Sequence, residues 1–322
     1  MREPRTLQEA IIYFSNSDNC LTYLAGKRWP QGVLCPSCGS EKVKFNPARG
    51  VWQCSRHHGK RQFSVKVGTL FEDSAIGLDK WLSAVWMLTN CKNGISSYEV
   101  ARDLGVTQKT AWFMMHRIRL ALQDDDGGKL GGEVEVDETF IGGLARNMHV
   151  GKRRERIQGT GGRDKTAVLG ILQRQGPVRT SVVPDVTLQT LGGSVRGNIA
   201  AGAQVFTDAG AGYHGLNAEY VHRVIDHAQA YALENVHTNG LENYWSLLQR
   251  TLKGTYVRVE PFHLFRYLDE QAFRYNRREG LDDRGRFDAA VSRIMGKRLT
   301  WNRLAGKGPD RPTASNDEGQ AS

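Results

Sequence analysis

His237-Thr-Asn-Gly-Leu-Glu-Asn-Tyr-Trp-Ser-Leu-Leu-Gln-Arg250 is the stretch on which the reading of this chain turns. It has the signature of a helix start. Asn239 is a capping type, and Glu242 then falls at the third helical position, where a capping-box carboxylate sits. Leu241, Trp245 and Leu248 recur at helical spacing, so one face packs inward and carries Glu242 on its flank. A carboxylate so placed gains meaning only when others converge on it. Two upstream acids qualify, Asp137 in Val-Glu-Val-Asp-Glu-Thr and Asp208 in Val-Phe-Thr-Asp-Ala-Gly. Each closes a β-branched run, as an acid at the end of a buried strand does.

Working outward from this trio, strand periodicity begins at Glu133, where Val134 and Val136 alternate with acids up to Asp137. Two further strands are expected at Thr166 to Gln173 and Val178 to Val183. A helix follows from Leu188 to Ala200, then a strand from Gln204 closing on Asp208 and another from His222 to Ile225, just before Asp226-His227. After the Glu242 helix comes an amphipathic helix, Phe262 to Arg278. Three strands, a helix, a fourth strand and a later helix bearing an acid is the order of an α/β, RNase H-like fold. Carboxylates gathered this way repel one another and gain from a hard cation. Two Mg²⁺ (or Mn²⁺) ions held by them activate an attacking oxygen on one side and stabilise the leaving oxygen on the other. No soft ligand accompanies them, which disfavours zinc there.

The N-terminal third has a different chemistry. Cys35-Pro-Ser-Cys38-Gly is a knuckle whose tight turn aims two thiolates at one metal ion, and Val51-Trp-Gln-Cys54-Ser-Arg-His57-His58 supplies a second half-site. Either His57 or His58 has workable spacing for a Cys₃His site, and His58 is preferred because a C-x₃-H turn is ample for an imidazole. Four protein ligands leave no position for water, so this zinc is expected to be structural. Cys20 and Cys91 are expected to be core thiols.

Ile95 to Trp112 has the cadence of a helix-turn-helix. Ser96 caps the first helix, Gly105 makes the turn and Thr107 caps the second. That second helix is expected to expose Gln108, Lys109, His116, Arg117 and Arg119 to phosphates and base edges. Basic residues recur between Asn147 and Asp164 (Lys152, Arg153, Arg154), and Arg250 and Lys253 follow the Glu242 helix. Over 322 residues the formal charge is +10, and the pI near 9.4 points to a polyanionic partner. Nucleic acid fits better than membrane, because no apolar run approaches the roughly 18 residues of a spanning helix. The first ten residues lack the apolar core of a signal peptide, so a cytoplasmic location is expected. Five cysteines, three of them in one cluster, argue against a disulfide scaffold. The expected domains are 1–72 (N-terminal helix and zinc ribbon), 73–126 (helix-turn-helix region), 127–302 (catalytic) and a disordered tail at 303–322.

These residues together resemble the insertion-sequence transposases of the IS1595 family, the ISXO2-like kind. The likeness runs from about Cys35 to Arg278. It is carried by the zinc ribbon leading into Phe63-Ser-Val-Lys-Val-Gly-Thr-Leu-Phe71, by Val106 to Trp112 with His116-Arg-Ile-Arg119, and by Val136-Asp137-Glu-Thr-Phe-Ile-Gly-Gly. Lys165-Thr-Ala-Val-Leu-Gly, Thr207-Asp208, His237 to Ser246 and Phe273-Arg-Tyr-Asn-Arg-Arg complete it. The resemblance implies a DDE-type enzyme that binds its element's terminal inverted repeats, cleaves there and joins the 3′ ends to target DNA, holding two ends in a dimer or larger assembly near the nucleoid. It implies Asp137 and Asp208 as the first two catalytic acids. The third is Glu242 or Asn239: Glu242 is the better ligand because it is anionic, while Asn239 has an amide oxygen to offer. His237 is a candidate accessory group. Gln249 stands where the family often has lysine, which leaves Arg250 or Lys253 to meet DNA phosphate. Two other readings share these residues: a nuclease that cuts without joining, and a transposase-derived regulator with a silent site. The presence of all three acids weighs against the regulator.

Overall fold

Residues 3–124, 127–142, 151, 165–208, 211–225 and 237–307 are described by the structure, a computed structural model. They divide into two compact units. Among the described residues, one combines the N-terminal part up to Gln123 with residues 277–307, and the other spans 124–276.

In the first unit, helices α1 (Leu7–Phe14) and α2 (Ser17–Arg28) precede a small antiparallel sheet of β1 (Val43–Asn46), β2 (Val51–Cys54) and β3 (Gln62–Phe63). The sheet is too small to enclose a core. Trp52 pairs with Phe45 and Phe63 on either side, and Trp29 stacks edge-on against it at 5.4 Å. Helix α3 (Leu78–Asn90) is buried on every side from Trp81 to Thr89, which makes it the axis of the unit. Around it lie α1, α2, α5 (Gln108–Leu122) and α9 (Asp283–Ser292), with Phe287 of α9 against Trp86 at 4.9 Å and against Phe14. The segment 277–302, expected to belong with the catalytic acids, thus packs in the N-terminal unit, and the ribbon and the helical region form one unit together.

Helices α4 (Ser97–Leu104) and α5 are joined as expected. Ser96 accepts from the Glu99 amide in a full capping box, Gly105 turns the chain in the left-handed region, and Thr107 accepts from the Thr110 amide. The expected outward display does not follow. His116, Arg117 and Arg119 are buried. Helix α5 is flanked by α3, α4 and α9, and its one exposed residue is Lys109 in the first turn, where Gln108 donates to Ser97 Oγ at 2.8 Å. Arg117 instead donates to the Glu72 carbonyl at 2.7 Å and lies over Trp81 and Phe113. Arg117→Met is therefore expected to cost about 1–3 kcal/mol, the cost of leaving a buried carbonyl unpaired, read by urea unfolding.

The second unit is a mixed α/β layer structure. Its sheet runs β6 (Val178–Val183), β5 (Thr166–Gln173), β4 (Glu133–Ile141), β7 (Gln204–Asp208), β8 (Val221–Ile225). The β6-β5-β4 ladder is antiparallel, whereas β7 and β8 run parallel to β4, leaving β4 at the centre. Two apolar faces follow from the strand period. Val134, Val136, Leu169, Ile171 and Val205 pack with helix α6 (Leu188–Asn198). Val168, Leu172 and Val178 pack with α7 (Asn239–Arg250) and α8 (Leu264–Asn276). The short α10 (Trp301–Leu304) lies in the first unit. No helix of the described residues is long and apolar enough to cross a membrane.

Candidate active site

Period-two alternation along β4 sends Val134 and Val136 to the α6 face and Glu135 and Asp137 to the face covered by α7. Asp137 is caught by two donors. Its Oδ1 accepts from the Glu138 amide at 2.8 Å and its Oδ2 from the Trp245 indole N–H at 2.9 Å. Burial pushes its carboxyl up to about 6, the charges of Glu138 and Asp208 add to that, and the Trp245 bond opposes it. Such a group is poorly solvated as an anion and gains from a cation.

Asp208 closes β7 on the neighbouring strand. Glu133, Val134 and Glu135 pair with Gln204, Val205 and Phe206 in parallel register. Continued by two residues, the same register sets Asp137 beside Asp208. Glu138 points to the opposite face, accepts from the Tyr213 hydroxyl, and is held above the usual carboxylate range by burial and then by Asp208.

Helix α7 reaches Asp137 across β5, and one glycine makes that approach feasible. Gly170 is the cross-strand partner of Asp137, and a Cβ there would stand 2.6 Å from the Trp245 ring and 2.9 Å from Leu241. Gly170→Ala is expected to displace the indole and cost about 1–3 kcal/mol as overpacking does. A thermal melt together with loss of the Trp245–Asp137 bond, seen as a shift in indole N–H resonance, checks this.

Glu242 is exposed on α7, three residues before Trp245, the residue that bonds to Asp137. Asn239 is not the cap. Thr238 occupies that position without a side-chain bond, Asn239 is the first helical residue, and Glu242 is the fourth rather than the third. The cap is dispensable because an acceptor from β4 serves the helix start, as described below. Among the described residues the ligand atoms of Asp137, Asp208 and Glu242 do not draw together within 4.8 Å as a set. Asp137 and Asp208 lie on neighbouring strands, close enough for the charge of Asp208 to act on Asp137, and Glu242 is carried by the helix bonded to Asp137. Arg250, the last residue of α7, and Lys253 beyond it are exposed, and Lys253 donates to Gln249 Oε1 at 3.0 Å. His237 packs against Arg174 rather than standing alone. Lys152, Arg153, Arg154, Asp226 and the 308–322 tail lie outside the described residues.

In the ribbon, Cys35, Cys38, Cys54 and His58 bring their ligand atoms within 4.8 Å of one another. Cys35 Sγ lies 3.5 Å from His58 Nε2, and Cys38 Sγ lies 3.7 Å from Cys54 Sγ. A zinc ion with Zn–S bonds of about 2.3 Å has tetrahedral edges of roughly 3.8 Å, so the donors fit. His57 is exposed and outside the group.

Sequence reasoning missed Glu135, Trp245 and Gly170 as parts of this site. Trp245 reads as core because its ring is core and only its N–H is functional. Glu135 carried a usable signal, since it shares a face with Asp137 by the strand period.

Two families match the chain. Residues 129–276 match the ISXO2-like transposase domain and residues 15–58 the transposase zinc-ribbon domain. The chain is 28% identical over 289 residues to an uncharacterized protein in transposable element ISH50 of Halobacterium salinarum, covering 84% of this chain and 96% of that one. It is 34% identical over 104 residues to an uncharacterized transposase-like protein of Haemophilus influenzae, covering 32% of this chain and 83% of the relative. No solved structure matches.

Proposed function

This chain belongs to the IS1595 family of ISXO2-like transposases, and from that premise we propose a DDE-type DNA transposase that binds the terminal inverted repeats of its element, cleaves at the ends and joins the 3′ ends to target DNA. One observation carries the reading: Asp137 and Asp208 lie on adjacent parallel strands with the charge of Asp208 acting on the Asp137 carboxyl, and the helix bearing Glu242 is fastened to Asp137 itself through Trp245. The sheet order, with β4 central, antiparallel to β5 on one side and parallel to β7 on the other, supports an RNase H-like catalytic domain.

Asp137, Asp208 and Glu242 would hold two Mg²⁺ or Mn²⁺ ions, with Asn239 as the neighbouring amide donor. Such ions polarise a phosphodiester and stabilise both the attacking and the leaving oxygen. The protein's own part is orientation. The Trp245 N–H and the Glu138 amide fix both oxygens of Asp137, so its carboxylate does not rotate away during the reaction. Arg250 and Lys253 sit where phosphates would pass, and Lys253 reaches back to Gln249. The α4–α5 hairpin serves as a helix-turn-helix through its exposed first turn, where Lys109 lies over Trp301 at 4.7 Å. Lys152, Arg153 and Arg154 add basic charge to the same task. Two ends must be held at once, so the working form is a dimer or larger, in the cytoplasm at the nucleoid.

Lys109→Ala is expected to lower affinity for all DNA sequences alike and to reduce the log–log salt slope by about one, measured by fluorescence anisotropy across salt concentrations. The reading itself is tested by incubating the protein and Mg²⁺ with labelled duplexes carrying the repeats that flank the gene, beside scrambled duplexes. Selective binding followed by cleavage at the repeat ends is expected. Equal binding to both duplexes and no cleavage would defeat it.

A further inference from the structure

Helix α7 begins without a local cap: Thr238 makes no side-chain bond to the first turn. Four amides at such a start need acceptors. One comes from the sheet, where Glu135 Oε2 accepts from the Leu241 amide at 3.0 Å. Glu135 is fully buried and sits two residues before Asp137 on the same face of β4. Its other oxygen accepts from Arg174 Nε at 3.0 Å. Arg174 also donates to Glu133 and to both the carbonyl and Nδ1 of His237, while its guanidinium lies 4.0 Å over Phe206. The fit is tight. A Cβ on Gly240 would stand 2.5 Å from Leu172 Cδ2 and 2.8 Å from Glu135 Oε2.

The helix thus touches β4 by hydrogen bonds at two levels, Leu241 to Glu135 and Trp245 to Asp137. Two strand residues advance about 6.6 Å and four helical residues about 6 Å. The spacings agree, so both bonds form without strain, and a slip of α7 by one residue would break both.

We infer that Glu135, held by Arg174, is a positioning residue that sets the register of α7 along β4 and so places Glu242 against Asp137 and Asp208. This rests on the transposase reading above. Glu135 touches neither the reacting atoms nor the ions; it acts through the helix. A carboxylate suits the task because it accepts two charge-assisted or helix-start bonds at once and favours the positive end of the helix.

The test uses the full chain, with Mn²⁺ binding measured by calorimetry and electron paramagnetic resonance, and with end cleavage measured as a function of Mg²⁺. Glu135→Ala is expected to weaken Mn²⁺ binding at the Asp137-dependent site about 10- to 100-fold, the range for losing a group that orients metal ligands. It should raise the Mg²⁺ requirement of cleavage in parallel and leave end-DNA affinity unchanged. Glu135→Gln, which keeps an oxygen for the Leu241 amide, should recover part of the loss. If Glu135→Ala does not fold, Gly240→Ala carries the test, because it keeps every charged group and only pushes the helix start off the strand; it too should weaken Mn²⁺ binding. Wild-type Mn²⁺ affinity in folded Glu135→Ala, or in Gly240→Ala, overturns the inference while leaving the enzyme reading intact. A wild-type protein with no Asp137-dependent Mn²⁺ binding overturns the enzyme reading, and the inference with it.

Discussion

Asp208→Asn is expected to leave binding to repeat ends intact and to lower cleavage about 10³-fold or more, the scale seen when one member of a jointly acting catalytic set is removed. Asp137→Asn should match it. The amide oxygen can still accept from Trp245 or from the Glu138 amide, though not from both, while the negative charge is lost. Glu242→Gln should fall in the same range, whereas Asn239→Ala should only reduce the rate. The reverse ranking would make Asn239 the third ligand. The pH behaviour follows with a definite sign. Burial raises the Asp137 carboxyl to about 6 in the folded chain, above its value in the unfolded chain. In the absence of divalent ion, the stabilisation it contributes is therefore present at low pH and is lost as pH rises through about 6. A divalent cation should restore it. Mg²⁺ is thus expected to raise the thermal midpoint more at pH 7.5 than at pH 5, and the Asp137→Asn protein should show no such difference.

Removing zinc is the second large effect. Structural zinc sites of this kind are worth about 10–16 kcal/mol of apparent folding free energy, and this ribbon has little else. Its sheet is three short strands, with Trp52 between Phe45, Phe63 and Trp29 as its apolar centre. Chelation, or Cys54→Ser, should open residues 30–66 to proteolysis and quench-sensitive exposure of Trp52. It should release one zinc per chain and weaken specific end binding. Undiminished specific binding by zinc-free protein would remove the ribbon from DNA recognition.

Much of the fold was legible because local signals agreed with tertiary demand. Strands 166–173 and 178–183 are legible in the sequence: the first is rich in Val, Ile and Leu, the second in Val, and Gln175-Gly176-Pro177 punctuates them. Ser96, Gly105 and Thr107 act locally, so the α4–α5 hairpin was legible too. What failed was long-range. Arg117 and Arg119 look like solvent-facing charges in any pattern, and only the positions of α3 and α9 show that they are enclosed. Helix α9 carries no legible signal in the sequence. Its inward residues are Phe287, Ala290 and Val291 among Asp, Arg and Gly, too few to give a periodic signal. Asn239 looked like a cap because it is the commonest capping type there. The true partner of the helix start is Glu135, more than a hundred residues earlier, which no local rule could supply.

The central claim, that Asp137, Asp208 and Glu242 form one site for cutting and joining DNA, is tested most directly by strand transfer. Duplexes ending in the flanking repeats are incubated with protein, Mg²⁺ and a plasmid target, with Asp208→Asn in parallel. Free 3′ ends covalently joined to the plasmid by the wild type and absent with Asp208→Asn are the predicted result. Specific end binding with no cleavage, identical in the two proteins, would contradict it.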